Sequence, residues 1–223
     1  MIKSKGWNWK MVEDDSNCVW KIPSIESYYL LDRWKGLGFK SFLDLGCGLG
    51  RHTVLFASND FETYGFDISE DGLKKAKEWL DSLYLKADLK KGDMIHLPYK
   101  DNSFDCILCR NVISHQDTEG VKQIIKELYR VLKDNGECYL TLGSKSTWGF
   151  KQTSWPLVDE NTRLRMEEGP EYKTPHFYAD YDLIKVLFKD FKIEFINHIE
   201  DFYESNDKTY SSFHYHVLIK KVK

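Results

Sequence analysis

Short apolar runs alternate with stretches of helical spacing along most of this chain. Phe42, Leu43 and Leu45 make the first compact run, and Ser41 to Leu45 predicts a buried strand. Upstream, Tyr28, Leu31 and Trp34 predict a helix from Ile25 to Trp34, which Gly36 and Gly38 end. After Gly50, Thr53 to Ala57 reads as a helix. A second strand is expected at about Glu62 to Phe66. The next helix opens at Ser69, an N-cap followed by acidic first-turn residues, and carries Leu73, Ala76 and Leu80 on its apolar face. A third strand near Ala87 to Lys91 stops at Gly92-Asp93. A fourth spans Phe104 to Cys109. Asp117 caps a helix reaching Leu132, with Ile124, Ile125, Leu128 and Val131 apolar. Asp134-Asn135-Gly136 is a turn, and a fifth strand follows, Glu137 to Leu142. This alternation predicts an α/β fold, a doubly wound and mostly parallel sheet with helices on both faces.

The rhythm breaks over residues 144–179. Trp148, Phe150, Trp155, Phe177 and Tyr178 stand there among Pro156, Pro170 and Pro175. So long an irregular segment is usually functional or disordered, and its aromatics argue for function. It is expected to be a substrate-side insertion. A helix from Tyr181 to Phe188 follows. Two last strands, about Lys192 to His198 and Phe213 to Lys221, complete a sheet of seven. Their connection shows no helical pattern, so a hairpin is expected and the last strand should run antiparallel. Residues 1–36 form an N-terminal arm and helix. The arm carries Trp7, Trp9 and Trp20, and either packs on the surface or covers a ligand. One domain over residues 1–223 accounts for the whole.

The chemistry concentrates where the first strand ends, at Asp44-Leu45-Gly46-Cys47-Gly48-Leu49-Gly50-Arg51-His52. A strand, a glycine turn and a helix start make a ligand cradle, because glycine lets the backbone approach closely. The spacing is G-x-G-x-G. A dinucleotide fingerprint would need glycine at position 51, where Arg51 stands, so pyrophosphate is disfavoured. The carboxylate of Asp44 suits an ammonium or sulfonium better than a phosphate. Asp67 stands roughly 20 residues on, where an acidic group meets a ribose hydroxyl. Together they point to an adenosine-type ligand without pyrophosphate. Asn111 lies just past the fourth strand, at the carboxyl ends where open α/β sheets bind ligands.

Four motifs stand in order: LDLGCGLGRHT, YGFDIS, GDMIHLPYKDNSFDCILCRNVISH and ELYRVLKDNGECYLTL. Over about residues 40 to 143 the chain resembles the class I S-adenosylmethionine-dependent methyltransferases, above all their small-molecule, type 11-like group. The resemblance implies that Gly46, Cys47, Gly48 and Gly50 contact the methionine and ribose part of S-adenosylmethionine. It places Asp67 at the ribose, counts Ile68 among the cofactor-binding residues, and puts Asp93 on the adenine amino group and Met94 against the ring. It puts His115 near the transferred methyl. His176, between Pro175 and Phe177, is the other candidate base, and Trp148, Phe177 and Tyr178 are expected to line the acceptor. For either histidine a structural or merely lining role is the alternative. The sulfonium is already activated, so the reaction needs mostly positioning, with a base helping where the nucleophile is a hydroxyl or ammonium.

Charge and cysteine content narrow the partners. The net charge is −3, so no basic field advertises nucleic acid, and a small-molecule acceptor is expected. Five scattered cysteines, a polar N-terminus and no long apolar run predict a cytoplasmic protein, monomer or homodimer, without a membrane span. Cys106 and Cys109 face opposite sides of one strand, so no metal site is expected. His214 and His216 on the last strand are expected to be structural. His52 is left open between solvent and cofactor. A non-catalytic cofactor-binding regulator is the alternative of another class. A nicotinamide oxidoreductase is disfavoured by Arg51, and an amino-methylating DNA enzyme by Arg110-Asn111-Val112-Ile113 in place of its Pro-Pro motif.

Overall fold

A computed structural model describes residues 4–12, 19–205 and 208–223, and side chains outside 203–210. Cys18 and parts of the arm therefore lie outside the described residues. The regular elements begin with α1 (Ile25–Gly36), β1 (Ser41–Leu45), α2 (Arg51–Ala57), β2 (Glu62–Asp67), α3 (Glu70–Ser82) and β3 (Asp88–Lys91). They continue with β4 (Phe104–Cys109), α4 (Thr118–Val131) and β5 (Leu132–Ser144).

Local chemistry sets these bounds. The Ser69 hydroxyl accepts from the Gly72 N–H at 3.3 Å, and the Asp117 carboxylate from the Gly120 N–H at 2.8 Å, satisfying first-turn amides of α3 and α4. Val121, Ile124, Ile125, Leu128 and Val131 are all buried on one side of α4. β1 is buried throughout, because parallel strands on both sides and helices on both faces enclose it.

β1 to β4 pair in parallel in the order β3-β2-β1-β4, and β5 lies beside β4. One core packs Leu43, Leu45, Ile107 and Cys109 against α4. The other packs Phe42, Cys106 and Leu108 against Leu30 and Trp34 of α1 and Phe56 of α2. The alternation along β4 thus sends Cys106 and Cys109 to opposite faces as buried thiols.

Residues 144–179 depart from the expectation of an irregular loop. They form α5 (Trp148–Lys151), β6 (Leu157–Asp159), β7 (Thr162–Leu164) and β8 (Pro175–Ala179). β8 pairs in parallel with the end of β5, Gly143 with Tyr178 and Ser144 with Ala179. β7 and β6 add antiparallel strands beyond it. The sheet therefore has ten strands among the described residues, not seven. After α6 (Tyr181–Leu187), β9 (Lys192–Ser205) and β10 (Lys208–Lys220) form a hairpin longer than expected. β10 runs antiparallel against β5, as its short connection requires.

Candidate active site

The carboxyl ends of β1 to β5 open into one cavity of about 300 Å³. The glycine turn forms its floor. The Gly46 and Cys47 N–H groups both donate to the Phe66 carbonyl, at 2.7 and 3.1 Å, tying the turn to β2. Two positions there require glycine. Gly46 has φ 76°, and a Cβ would stand 2.5 Å from Val112. Gly48 has φ 52°, and a Cβ would stand 2.5 Å from the Trp9 ring.

Asp67 is buried at the end of β2. Its two oxygens accept from the Gly48 N–H at 2.8 Å and the Ser69 N–H at 2.7 Å. Burial raises its pKa, against the pull of those backbone hydrogen bonds. Each oxygen keeps a second lone pair for a hydroxyl donor. Cys47, Ile68, Asp93 and Met94 line the same side of the cavity. Asn111 lines it as well, in a strained left-handed conformation with φ 57°. The Thr141 hydroxyl pins it, accepting from its N–H at 2.8 Å and donating to its Oδ1 at 2.9 Å.

Two expected cofactor residues do not line the cavity. Asp44 lies beneath the turn, 2% exposed, and accepts from the Thr53 hydroxyl at 2.6 Å. Burial lifts its pKa to about 6 against that hydrogen bond. Gly50 packs its backbone on Ala76 of α3 and closes the turn through its N–H to the Cys47 carbonyl at 2.8 Å. Both shape the cradle from behind.

The facing wall comes from the insertion and the arm. His115 and His176 are brought together, ring centroids 5.0 Å apart. Between them reaches Glu171, which the sequence reading did not single out. Its Oε1 lies 3.2 Å from His115 Nε2, and its Oε2 lies 3.7 Å from His176 Nε2. Arg165 pairs with the same carboxylate, and the Trp7 indole donates to it at 2.8 Å. Burial alone would push the Glu171 carboxyl up. The hydrogen bond and charge of His115, with His176 and Arg165, outweigh it and hold the group well below the usual range. Burial, then the charge of His115, drives His176 down to about 3. A nitrogen of that affinity is a poor proton acceptor at neutral pH, which works against the expected role of His176 as base.

Trp148 and Tyr178 face the cavity beside Trp155. Phe177 also borders it, but its side chain is fully buried in the core, because β8 alternates and sends His176 and Tyr178 the other way. His214 enters the cavity too, against the expectation of a purely structural role. β10 runs antiparallel, so its His214 pairs with Gly143 at the carboxyl end of β5. His216, two residues on, is structural as expected, in contact with Tyr139 and Glu26. His52 is buried, borders the cavity and accepts from the Ser24 N–H at 3.3 Å. The Trp9 ring closes the cavity over Gly48, in a cluster with Trp7 and Trp20 at centroid distances of 5.2 and 6.1 Å.

The family model for a methyltransferase domain matches residues 42–136. The demethylmenaquinone methyltransferase of Lactiplantibacillus plantarum is 33% identical over 161 residues, covering 66% of this chain and 67% of that protein. The chain belongs to the class I S-adenosylmethionine-dependent methyltransferases. A solved S-adenosylmethionine-dependent methyltransferase of Methanosarcina mazei shares the fold, with a TM-score of 0.67 at 23% identity over 82% of this chain and 92% of that one. The demethylmenaquinone methyltransferase of Bacillus mycoides is 34% identical over 119 residues, covering 49% of this chain and 48% of that protein. The chain spans about half the length of the curated relatives it first matches.

The cradle of this methyltransferase fits S-adenosylmethionine. Asp67 and Asp93 line the cavity with carboxylate oxygens, acceptors of the kind that the hydroxyl and amino groups of a nucleoside require. Ile68 and Met94 add apolar surface beside them, and the turn at Gly46 to Gly48 borders the same cavity. Among the described residues no helix is long and apolar enough to cross a membrane.

Proposed function

We propose that the protein transfers a methyl group from S-adenosylmethionine to a small-molecule acceptor held against the wall made by residues 144–179. One observation carries this reading: a single cavity joins the family's cofactor side, Gly46 to Met94, to a wall of aromatic and titratable side chains. The cofactor supplies a methyl group already activated on a sulfonium. What remains for this chain is to bind, orient and dry the partners. Trp148, Trp155 and Tyr178 offer flat apolar surface for an acceptor. Trp7 and Trp9 exclude water from the arm side. His115 borders the cavity with its Nε2 3.2 Å from the Glu171 carboxylate, which orients the ring, so it is the better placed histidine to meet an acceptor.

Calorimetry with S-adenosylmethionine, S-adenosylhomocysteine and NAD tests the cofactor. The first two should bind, and NAD far more weakly. A screen of small hydroxyl, amino and thiol acceptors should then release S-adenosylhomocysteine. Binding without turnover across such acceptors and cell extract would support a non-catalytic regulator instead.

A further inference from the structure

We propose that His115, Glu171 and His176 form a site for a divalent transition metal, zinc-like in preference, on the acceptor side of the cavity. The proposal rests on the methyltransferase reading only for what the metal would do, not for its binding. Two imidazole nitrogens and one carboxylate converge from two separate parts of the chain. His115 follows β4, while Glu171 and His176 belong to the insertion. Their ligand atoms all lie within 4.8 Å of one another. Ligands about 2.1 Å from a metal stand about 3.0–3.4 Å apart around it. His115 Nε2 lies 3.2 Å from Glu171 Oε1 and His176 Nε2 lies 3.7 Å from Oε2, so the carboxylate spans the two imidazoles, and the set, now within 4.8 Å, would draw together to close on one ion.

A second observation points the same way. The His176 Nε2 is buried and has no hydrogen-bond partner, yet it faces the carboxylate. An orphaned buried nitrogen is costly unless something binds there. The surroundings of Glu171 also match an outer shell. The Trp7 indole and the Arg165 guanidinium both donate to its oxygens, which fixes the carboxylate's orientation as outer partners do around ligating groups. Arg165 adds positive charge, and Glu171 answers it within the pair, leaving lone pairs that face the histidines.

The donor set of two histidines and one carboxylate suits zinc, iron(II) or cobalt, and leaves positions open. An acceptor hydroxyl or thiol would occupy one. Coordination lowers its pKa, its proton passes to solvent, and the retained lone pair forms the new bond to the methyl carbon. The carbon–sulfur bond breaks with its electrons to sulfur, leaving S-adenosylhomocysteine, and the metal leaves the step unchanged.

The test uses the full chain stripped with a chelator. Zinc is titrated against a competing chromophoric chelator, and cobalt is added as a spectroscopic probe of its visible bands. One equivalent should bind. His115→Ala, His176→Ala and Glu171→Gln should each weaken binding more than about 100-fold, beyond the roughly 10–100-fold that outer partners contribute. Glu171→Gln keeps side-chain volume, and circular dichroism of each apo variant reports folding. His96→Ala, on the exposed surface, removes an imidazole and should change nothing. Undiminished binding in Glu171→Gln, or none in the wild type, overturns the metal site and leaves His115 and Glu171 as an acid–base pair. Calorimetry with S-adenosylmethionine on the same protein separates the two readings. Metal without cofactor sinks the methyltransferase reading, and cofactor without metal sinks this one.

Discussion

At the scale of single residues, the two buried carboxylates of the cradle act in opposite ways. Asp67 faces the cavity and holds the turn through the Gly48 and Ser69 amides. Asp67→Ala should weaken S-adenosylmethionine binding by roughly 1.5–3 kcal/mol, the scale of a hydrogen bond to a charged group. It also orphans two amides, so a fall in the denaturation midpoint should accompany the loss. Unchanged affinity would move the ribose contact elsewhere. Asp44 has its folded pKa raised to about 6, above an unfolded value of about 3.9. Folding therefore binds a proton between those values, and above pH 6 the buried charge costs stability. Asp44→Asn should raise stability by on the order of 2 kcal/mol above pH 6, with the gain fading below about pH 4. Urea melts at pH 8 and pH 4 check this, and an equal effect at both would refute it.

At the scale of elements, α1 is fastened to the sheet by one buried group. Glu137 at 1% exposure accepts from Arg33 Nε and Nη2, at 2.8 and 2.7 Å, and from the Trp34 indole at 3.0 Å. Arg33→Ala leaves that carboxylate short of its charge partner and should cost about 3 kcal/mol, read from chemical denaturation. A loss under about 1 kcal/mol would mean that water replaces the guanidinium. The elements were unequally legible. β1, β4 and the cap of α4 read directly from apolar runs and from Asp117, because burial on two faces leaves a continuous signal. β6 and β7 have three residues each, too few for any period to show. The outer half of the β9–β10 hairpin carries Glu200, Asp201, Ser211 and Ser212, which read as loop because that stretch borders little core. His214 was missed for a related reason: reversing a strand exchanges its ends, and the residues alone did not fix its register. Glu171 carries no local signal, since beside its near neighbours Arg165 and His176 its partners Trp7 and His115 come from two distant parts of the chain.

At the scale of the whole molecule, buried imidazoles tie stability to pH. His176 holds its folded pKa near 3, and burial keeps His52 well below 6.5. The unfolded chain takes protons at these positions below about 6.5, while the folded one declines them. Stability is thus full above that pH and lost as the pH falls toward 3. Glu171, depressed when folded, adds a loss below about pH 4.5. The denaturation midpoint should fall from pH 7 to pH 5, and the fall should be smaller in His176→Gln. Parallel curves for the two proteins would remove His176 from the account. The Trp9 ring over Gly48 carries a consequence in time. We propose that a ligand seated on that turn enters and leaves only as often as the indole lifts, so that exchange is clocked by the arm and not by encounter. In stopped-flow tryptophan emission, the entry rate should climb with ligand concentration and then level off at the opening frequency. Trp9→Ala should remove that ceiling and shorten the residence of whatever is bound.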